Sequence, residues 1–382
     1  MRNAIKIDTG WIKIILLFLA GFFLPWGNSL KTFNSFAPYL FLIPTVLLIP
    51  FLFGPIRLVS LPMVLFISFL ILHTLGTGII IGPEYFTYLS TKLDYFSPDL
   101  TNMMAICKLL SFILYFIVLS LVTIRKQEYT AQCLGFVLGL TAASALKLPE
   151  YFNYFQSYRF AGPYNDPNAY AISAGIVFFL CLLLSQQFRN KMFSGMFVLS
   201  AWLFFLLILL SQSRSGILAF VLAGCYFFRK HRYFLRGLLV VGIICALSFP
   251  LFSSRVLEVN HWADDGGTGR FDIWLFYLSN LPKYFLTGVG LGRADVVIDT
   301  SMAAGLNFVP HNTFLEVFVD FGFLGLFFFL WLMTDYWKRI GNWRVKPVVI
   351  LWGVGACFIS ALVLRETWFV FILLERAALL ER

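Results

Sequence analysis

The sequence predicts an all-α polytopic membrane protein of about 11–12 transmembrane helices, and three observations predict it. The 382-residue chain is 60% hydrophobic and only 13% charged, where a soluble domain is near half apolar and about a quarter charged. Its mean hydropathy is +0.83. Apolar runs of roughly 17–22 residues recur along it, each long enough to cross ~30 Å of hydrocarbon at ~1.5 Å per residue. The runs are continuous, whereas a membrane β-barrel alternates over ~10-residue segments.

Each span is an apolar run bounded by Gly, Pro or charge. The first runs from about Ile12 to Gly27; Pro25-Trp26-Gly27 is not a small-x-small cleavage site, so this is a retained span rather than a signal peptide. The second covers Ala37 to Gly54, the third Leu58 to Ile81, the fourth Met104 to Ile124 and the fifth Tyr129 to Leu146. The sixth covers Pro167 to Ser185, the seventh Met192 to Leu210, the eighth Gly216 to Phe228 and the ninth Gly237 to Phe252. The tenth runs from Thr313 to Met333 and the eleventh from Pro347 to Leu364. Thr367 to Leu380 is short and carries Glu375 and Arg376, which fits a twelfth span or a surface helix equally well. No repeat or low-complexity linker divides the chain, so residues 1–382 form one multi-span domain.

The net charge of +10 is a matter of topology. One alternating set of loops holds most of the cations: Arg2, Lys6 and Lys13; Arg57; Arg125 and Lys126; Arg189 and Lys191; Arg229, Lys230, Arg232 and Arg236; Lys338, Arg339, Arg344 and Lys346. The positive-inside rule makes that set cytoplasmic. Gly82 to Asn102, Lys147 to Asp166 and the large polar segment Ser253 to Pro310, between the ninth and tenth spans, then face outward. No basic domain interleaved with aromatics is present, so a nucleic-acid partner is not expected. The six cysteines all fall in apolar runs without a CxxC pair or a neighbouring histidine, which argues for packing sulfur and against disulfides or metal.

Four outward clusters can carry chemistry. Arg159-Phe-Ala-Gly162-Pro-Tyr-Asn165-Asp166-Pro167-Asn168 has the composition of a tight turn, with Pro167 placed to start a helix; Asn165 and Asn168 could also bond a sugar. Ser211-Gln-Ser213-Arg214-Ser215-Gly216 puts an arginine at a membrane boundary among hydroxyl and amide side chains, and its rigid fork of donors suits phosphate. Gly266-Gly-Thr-Gly269-Arg270-Phe-Asp272-Ile-Trp274 joins glycines, a second arginine and a tryptophan suited to the headgroup layer. Gly288-Val-Gly290 beyond it has the wrong spacing for a dinucleotide fingerprint and is a backbone bend. Last, Pro310-His311-Asn312-Thr313-Phe-Leu-Glu316 sets an imidazole at the mouth of a span. Asn312 or Thr313 can cap that helix, and Asn312, Glu316 and Asp320 share one face. An ordinary imidazole titrates near pH ~6.5 and suits a general base.

In order and placement these motifs resemble the O-antigen ligase/polymerase superfamily (WaaL and Wzy types), over roughly Arg159 to Gly325. The resemblance implies a GT-C-like, metal-independent, inverting glycosyltransferase of the bacterial inner membrane, with a periplasmic site and no cofactor. It implies a glycan donor on undecaprenyl pyrophosphate, an acceptor that is a second lipid-linked glycan or lipid A-core, and surrounding membrane lipids. Carried across, Arg214 and Arg270 hold the pyrophosphate and His311 activates the acceptor hydroxyl. Arg159, Asn165, Asn168, Ser213, Ser215, Asn312 and Glu316 are then candidates for substrate binding. The room around Arg159–Asn168 favours a polymerase. A ligase that transfers the glycan to lipid A-core is the alternative, and a lipid-linked glycan flippase a more distant one.

Overall fold

A computed structural model describes residues 9–26, 40–54, 58–82, 102–122, 125–153, 159–164, 166–188, 190–229, 270–291, 310–341, 345–362 and 364–377. The expected ninth span, the 253–269 and 292–309 parts of the large loop, most of the Gly82–Asn102 segment and Asn165 lie outside them. The described residues form twelve α-helices and no strand: α1 Thr9–Phe23, α2 Leu42–Leu47, α3 Leu61–Ile81, α4 Asn102–Val122, α5 Lys126–Asn153, α6 Pro167–Ser185, α7 Lys191–Leu210, α8 Arg214–Phe228, α9 Arg270–Ser279, α10 Thr313–Arg339, α11 Lys346–Ala356 and α12 Arg365–Glu375. Helices α3, α5, α6, α7 and α10 are long and apolar enough to cross a membrane, and several shorter helices are equally greasy. The chain is an all-α polytopic membrane protein.

Small residues set the closest approach in the bundle. Gly21 of α1 faces the Gln132 carbonyl, while Gly135 and Gly139 of α5 face the Phe18 and Phe22 carbonyls, so a methyl group at any of them would collide with backbone. Helices pack this tightly in lipid only where side chains are absent. A Lys13–Glu128 ion pair of 2.9 Å closes one end of the α1–α5 contact. Helix α6 is buried along nearly its whole length, with α11 against Gly175 and Ile172. By contrast α7 shows Met192, Met196, Leu199 and Leu206 to the surroundings, as a lipid-facing helix should.

Two expected spans form differently. The run Ala37–Gly54 yields only α2 and a 3-10 turn at Ile49–Phe53. Pro50 has no N–H to give the turn before it and its ring crowds the carbonyl four residues back, so the helix stops at Leu47. The last run is no surface helix. Helix α12 is buried from Glu366 to Glu375, at 11 residues too short to face lipid alone. Trp368 Nε1 donates to Leu362 O (3.1 Å) near its start, and Tyr129 OH donates to Leu373 O (2.8 Å) near its end. There the Glu375 carboxylate accepts from Ser60 N (3.2 Å), Ser60 Oγ (2.6 Å) and both terminal nitrogens of Arg339 (3.3 and 3.2 Å).

Helix α10 is broken inside. Gly322 sits at φ 67°, ψ −167°, so Val319 O and Asp320 O lose the partners a continuous helix would supply. The stretch after α9 replaces them: Val289 N donates to Val319 O (2.9 Å) and Gly290 N to Asp320 O (2.9 Å), while Phe323 N donates to Phe285 O (2.7 Å). The expected bend at Gly288-Val-Gly290 is therefore a strip of backbone laid into the break, with Gly288 and Gly290 both at positive φ. A side chain at Gly288 would strike the Asp320 carbonyl, and one at Gly322 the Leu286 carbonyl. Broken helices survive at membrane depth only where protein satisfies their backbone like this.

Candidate active site

Helix α6 starts with Pro167 in its first turn and Asp166 as its cap, the carboxylate accepting from Asn168 N (2.8 Å). Asn168 then turns its own side chain outward from the helix. Its Oδ1 accepts from Arg159 Nη2 (3.0 Å) and Ser213 Oγ (2.7 Å), and Arg159 Nε donates to Ser211 O (3.0 Å). One amide oxygen thus joins two loops. Ser213 caps α8 by accepting from Gly216 N (3.0 Å), and Ser215 Oγ lies 3.3 Å from Ser213 Oγ. Ser211, Ser213 and Ser215 are buried while Arg214, the first residue of α8, is exposed. Gln212 takes a positive φ (51°) to make the turn, an uncommon conformation for a side-chain-bearing residue. The structure therefore gathers Arg159, Asn168, Ser213 and Ser215, but spends the first three on one another; what they present together is Arg214.

Arg270 and His311 are joined from the other side. Arg270 is the first residue of α9, and Trp274 one turn later donates its indole N–H to Pro310 O (2.8 Å). That bond uses the polar edge of the tryptophan for a chain-to-chain tie. Tyr277, Tyr284 and Val319 bury themselves together beneath it, fixing α9 on the upper part of α10. His311 follows Pro310 at φ 45°. Asn312 then caps α10, its Oδ1 accepting from Phe314 N (3.1 Å) and Leu315 N (3.2 Å), as its residue type suggests. Thr313 donates to Ile359 O (2.7 Å) and accepts from Ala361 N (2.8 Å), anchoring the helix start to the α11–α12 turn. Below it Asp320 is buried and Glu316 half-buried, with Glu316 Oε2 shielded and without a hydrogen-bond partner among the described residues.

Electrostatics connect the two halves. Burial holds the Arg270 guanidinium below its usual range; Asp166 opposes that shift and Arg214 adds to it. Burial likewise lowers the His311 imidazole below 6.5, Arg270 lowers it further, and Asp166 pulls it back. Arg270 thus feels Arg214, His311 and Asp166, and His311 feels Asp166, although the four come from four separate elements. The downward shift favours the neutral imidazole, the form able to accept a proton. The four also stand at the starts of α6, α8, α9 and α10, where helix dipoles favour an anion. Asp166 lies inside a motif noticed in the sequence, yet a helix cap accounts for it locally, so its charge at the site has no local signature.

Residues 199–330 match the family model described as O-Antigen ligase. That stretch contains Arg214, Arg270, His311 and the Gly322 break. A protein of Rickettsia conorii (strain ATCC VR-613 / Malish 7) named "Putative polysaccharide ligase" is 27% identical over 173 residues, 40% of this chain and 41% of that one. The chain thus spans about two fifths of the length of the curated relative it matches. Taken with the helical architecture and the order of the motifs, these matches make the chain similar to the O-antigen ligase superfamily over that stretch.

Proposed function

We propose that the chain is a glycosyltransferase of the ligase type, moving a glycan from a lipid pyrophosphate to a sugar hydroxyl at the outer face of a bacterial inner membrane. One observation supports the reading: Arg214 and Arg270 open two helices, His311 precedes a third, and Arg270 is electrically coupled to both of the others. The acceptor hydroxyl gives its proton to His311 as its oxygen bonds to the anomeric carbon. The bond from that carbon to the phosphate oxygen breaks on the opposite side, with inversion, and the pyrophosphate leaves with the electron pair. Arg214 and Arg270 supply the positive charge that this leaving group needs, in place of a metal ion. Arg159, Asn168, Ser213 and Ser215 act in this reading by aiming Arg214, while Asn312 and Glu316 line the acceptor side.

The described part of the Arg159–Asn168 segment is pinned to the Ser211–Ser213 turn, and α5 runs on to Asn153, so the room that favoured a polymerase is smaller than the sequence suggests. Both comparisons carry ligase names, which tips the reading the same way. The surface glycans of a deletion strain test it. Loss of all polymer from lipid A supports the ligase, and a single capped repeat supports a polymerase that joins one lipid-linked glycan to another. The break in α10, beside Glu316 and Asp320, is the kind of feature transporters use. Transfer by the purified protein in detergent, with no sealed membrane, separates an enzyme from a flippase.

A further inference from the structure

The strip of backbone in the α10 break is held from behind by a residue outside the site. His73, deep in the apolar helix α3, lies with Nε2 2.5 Å from Thr287 O. A carbonyl only accepts, so Nε2 carries a proton and is the donor. The same ring packs edge-on against Phe321 at 5.2 Å and tilted against Phe69 at 5.6 Å. His73 therefore touches both partners of the break: the strip through Thr287, and the upper half of α10 through its last residue before Gly322. An imidazole in an apolar helix is costly unless its polar edge is used, and here it is used on the one carbonyl that precedes Gly288.

We propose that His73 is a positioning residue of the transfer reaction, seating the Thr287–Gly290 strip in the Gly322 break and thereby fixing the tilt of the half-helix that begins just after His311 and Asn312. The proposal rests on the transferase reading above. The lever is rigid and short. From Phe321 back to Asn312 the half-helix is about 14 Å long at ~1.5 Å per residue. A tilt of about 4° at the break then moves its far end by roughly 1 Å, a displacement that can cost ~100-fold in rate. Val289 and Gly290 are the joints through which the tilt is set, since their N–H groups hold the two freed carbonyls of α10.

The test uses the full-length protein in detergent with a lipid-pyrophosphate-linked glycan and its acceptor. His73→Phe keeps an aromatic ring and removes the donor; His73→Gln keeps a donor and loses the ring. We expect His73→Phe to lower kcat tenfold or more, with KM for the donor within twofold, and His73→Gln to recover most of the loss. Amide exchange at Val289 and Gly290 should quicken in His73→Phe and stay near wild type in His73→Gln. Wild-type kcat in His73→Phe, unchanged exchange at both amides, or a His73→Gln no better than His73→Phe would each overturn the proposal. The exchange measurement needs no substrate. If the wild-type protein transfers nothing, the transferase reading fails, while the role of the His73 bond is still decided by exchange.

Discussion

At the end of the bundle away from the site, the Glu375 carboxylate is answered by Ser60 and by the Arg339 fork, and Lys13 by Glu128. Nearby cations lie over aromatic rings: Arg229 over Tyr226 at 3.7 Å, Lys346 over Trp337 at 4.7 Å and Arg339 over Tyr336 at 5.2 Å. At the site end burial comes first and charges of both signs follow. Asp166 steadies the proton on Arg270 more than Arg214 loosens it, while Arg270 loosens the proton on His311 more than Asp166 holds it. The first arrangement is complete in itself and serves stability. The second brings two arginines to one half-buried imidazole, which fits the anion site proposed above.

The largest expected effect tests that contrast at the site. Arg214→Ala, Arg270→Ala and His311→Ala should each lower transfer by about 10²–10⁴-fold while the protein still inserts and folds. Arg214→Lys should also fall short of wild type, because a point charge does not reproduce the guanidinium fork. Initial rates with purified variants check this, and a variant with near-normal rate would remove its residue from the mechanism. Asn168→Ala comes next. It deletes the acceptor shared by Arg159 and Ser213, which should loosen the Arg214 turn by about 1–2 kcal/mol and slow transfer about tenfold.

How much of this was legible in the sequence follows from how local each cause is. The sixth span was expected at Pro167–Ser185 and α6 has those ends, because Asp166 and Pro167 mark its start within a single turn. Arg214, Arg270 and His311 stood out through their motifs. The α10 break did not, since Gly322 sits in a phenylalanine-rich run that reads as one helix, and its cause is backbone donated from within the large loop. The Asn168 junction was hidden for the same reason. Its residues looked like ligands for a sugar because their partners lie on another loop, and the hydrogen bonds that occupy them cross between elements.

Glu375→Gln probes the stable end. The amide keeps the shape and loses the charge that Arg339 answers, and Arg339 is partly open to solvent (37% exposed side chain), so screening discounts the loss. A cost of roughly 1–3 kcal/mol is expected, read as a lower thermal midpoint in detergent. The rate per folded molecule should stay at wild type. A rate loss comparable to that of Arg214→Ala would mean that the two ends are not separate in function.

The smallest effect is a change in pH profile rather than in rate. As a general base His311 works when neutral, and burial and Arg270 hold its imidazole below 6.5. Transfer should therefore persist through neutral pH and fail only as the pH falls through that lowered value. Asp166 is the charge that favours the imidazolium. Asp166→Asn removes that pull yet retains an acceptor able to cap α6, so the helix start survives. The His311 imidazole then loses its proton more readily, and the acid limb of the rate profile should move to lower pH with the plateau little changed. An acid limb that stays in place would show that the carboxylate serves α6 alone, and one that moves upward would overturn the sign of its pull on His311.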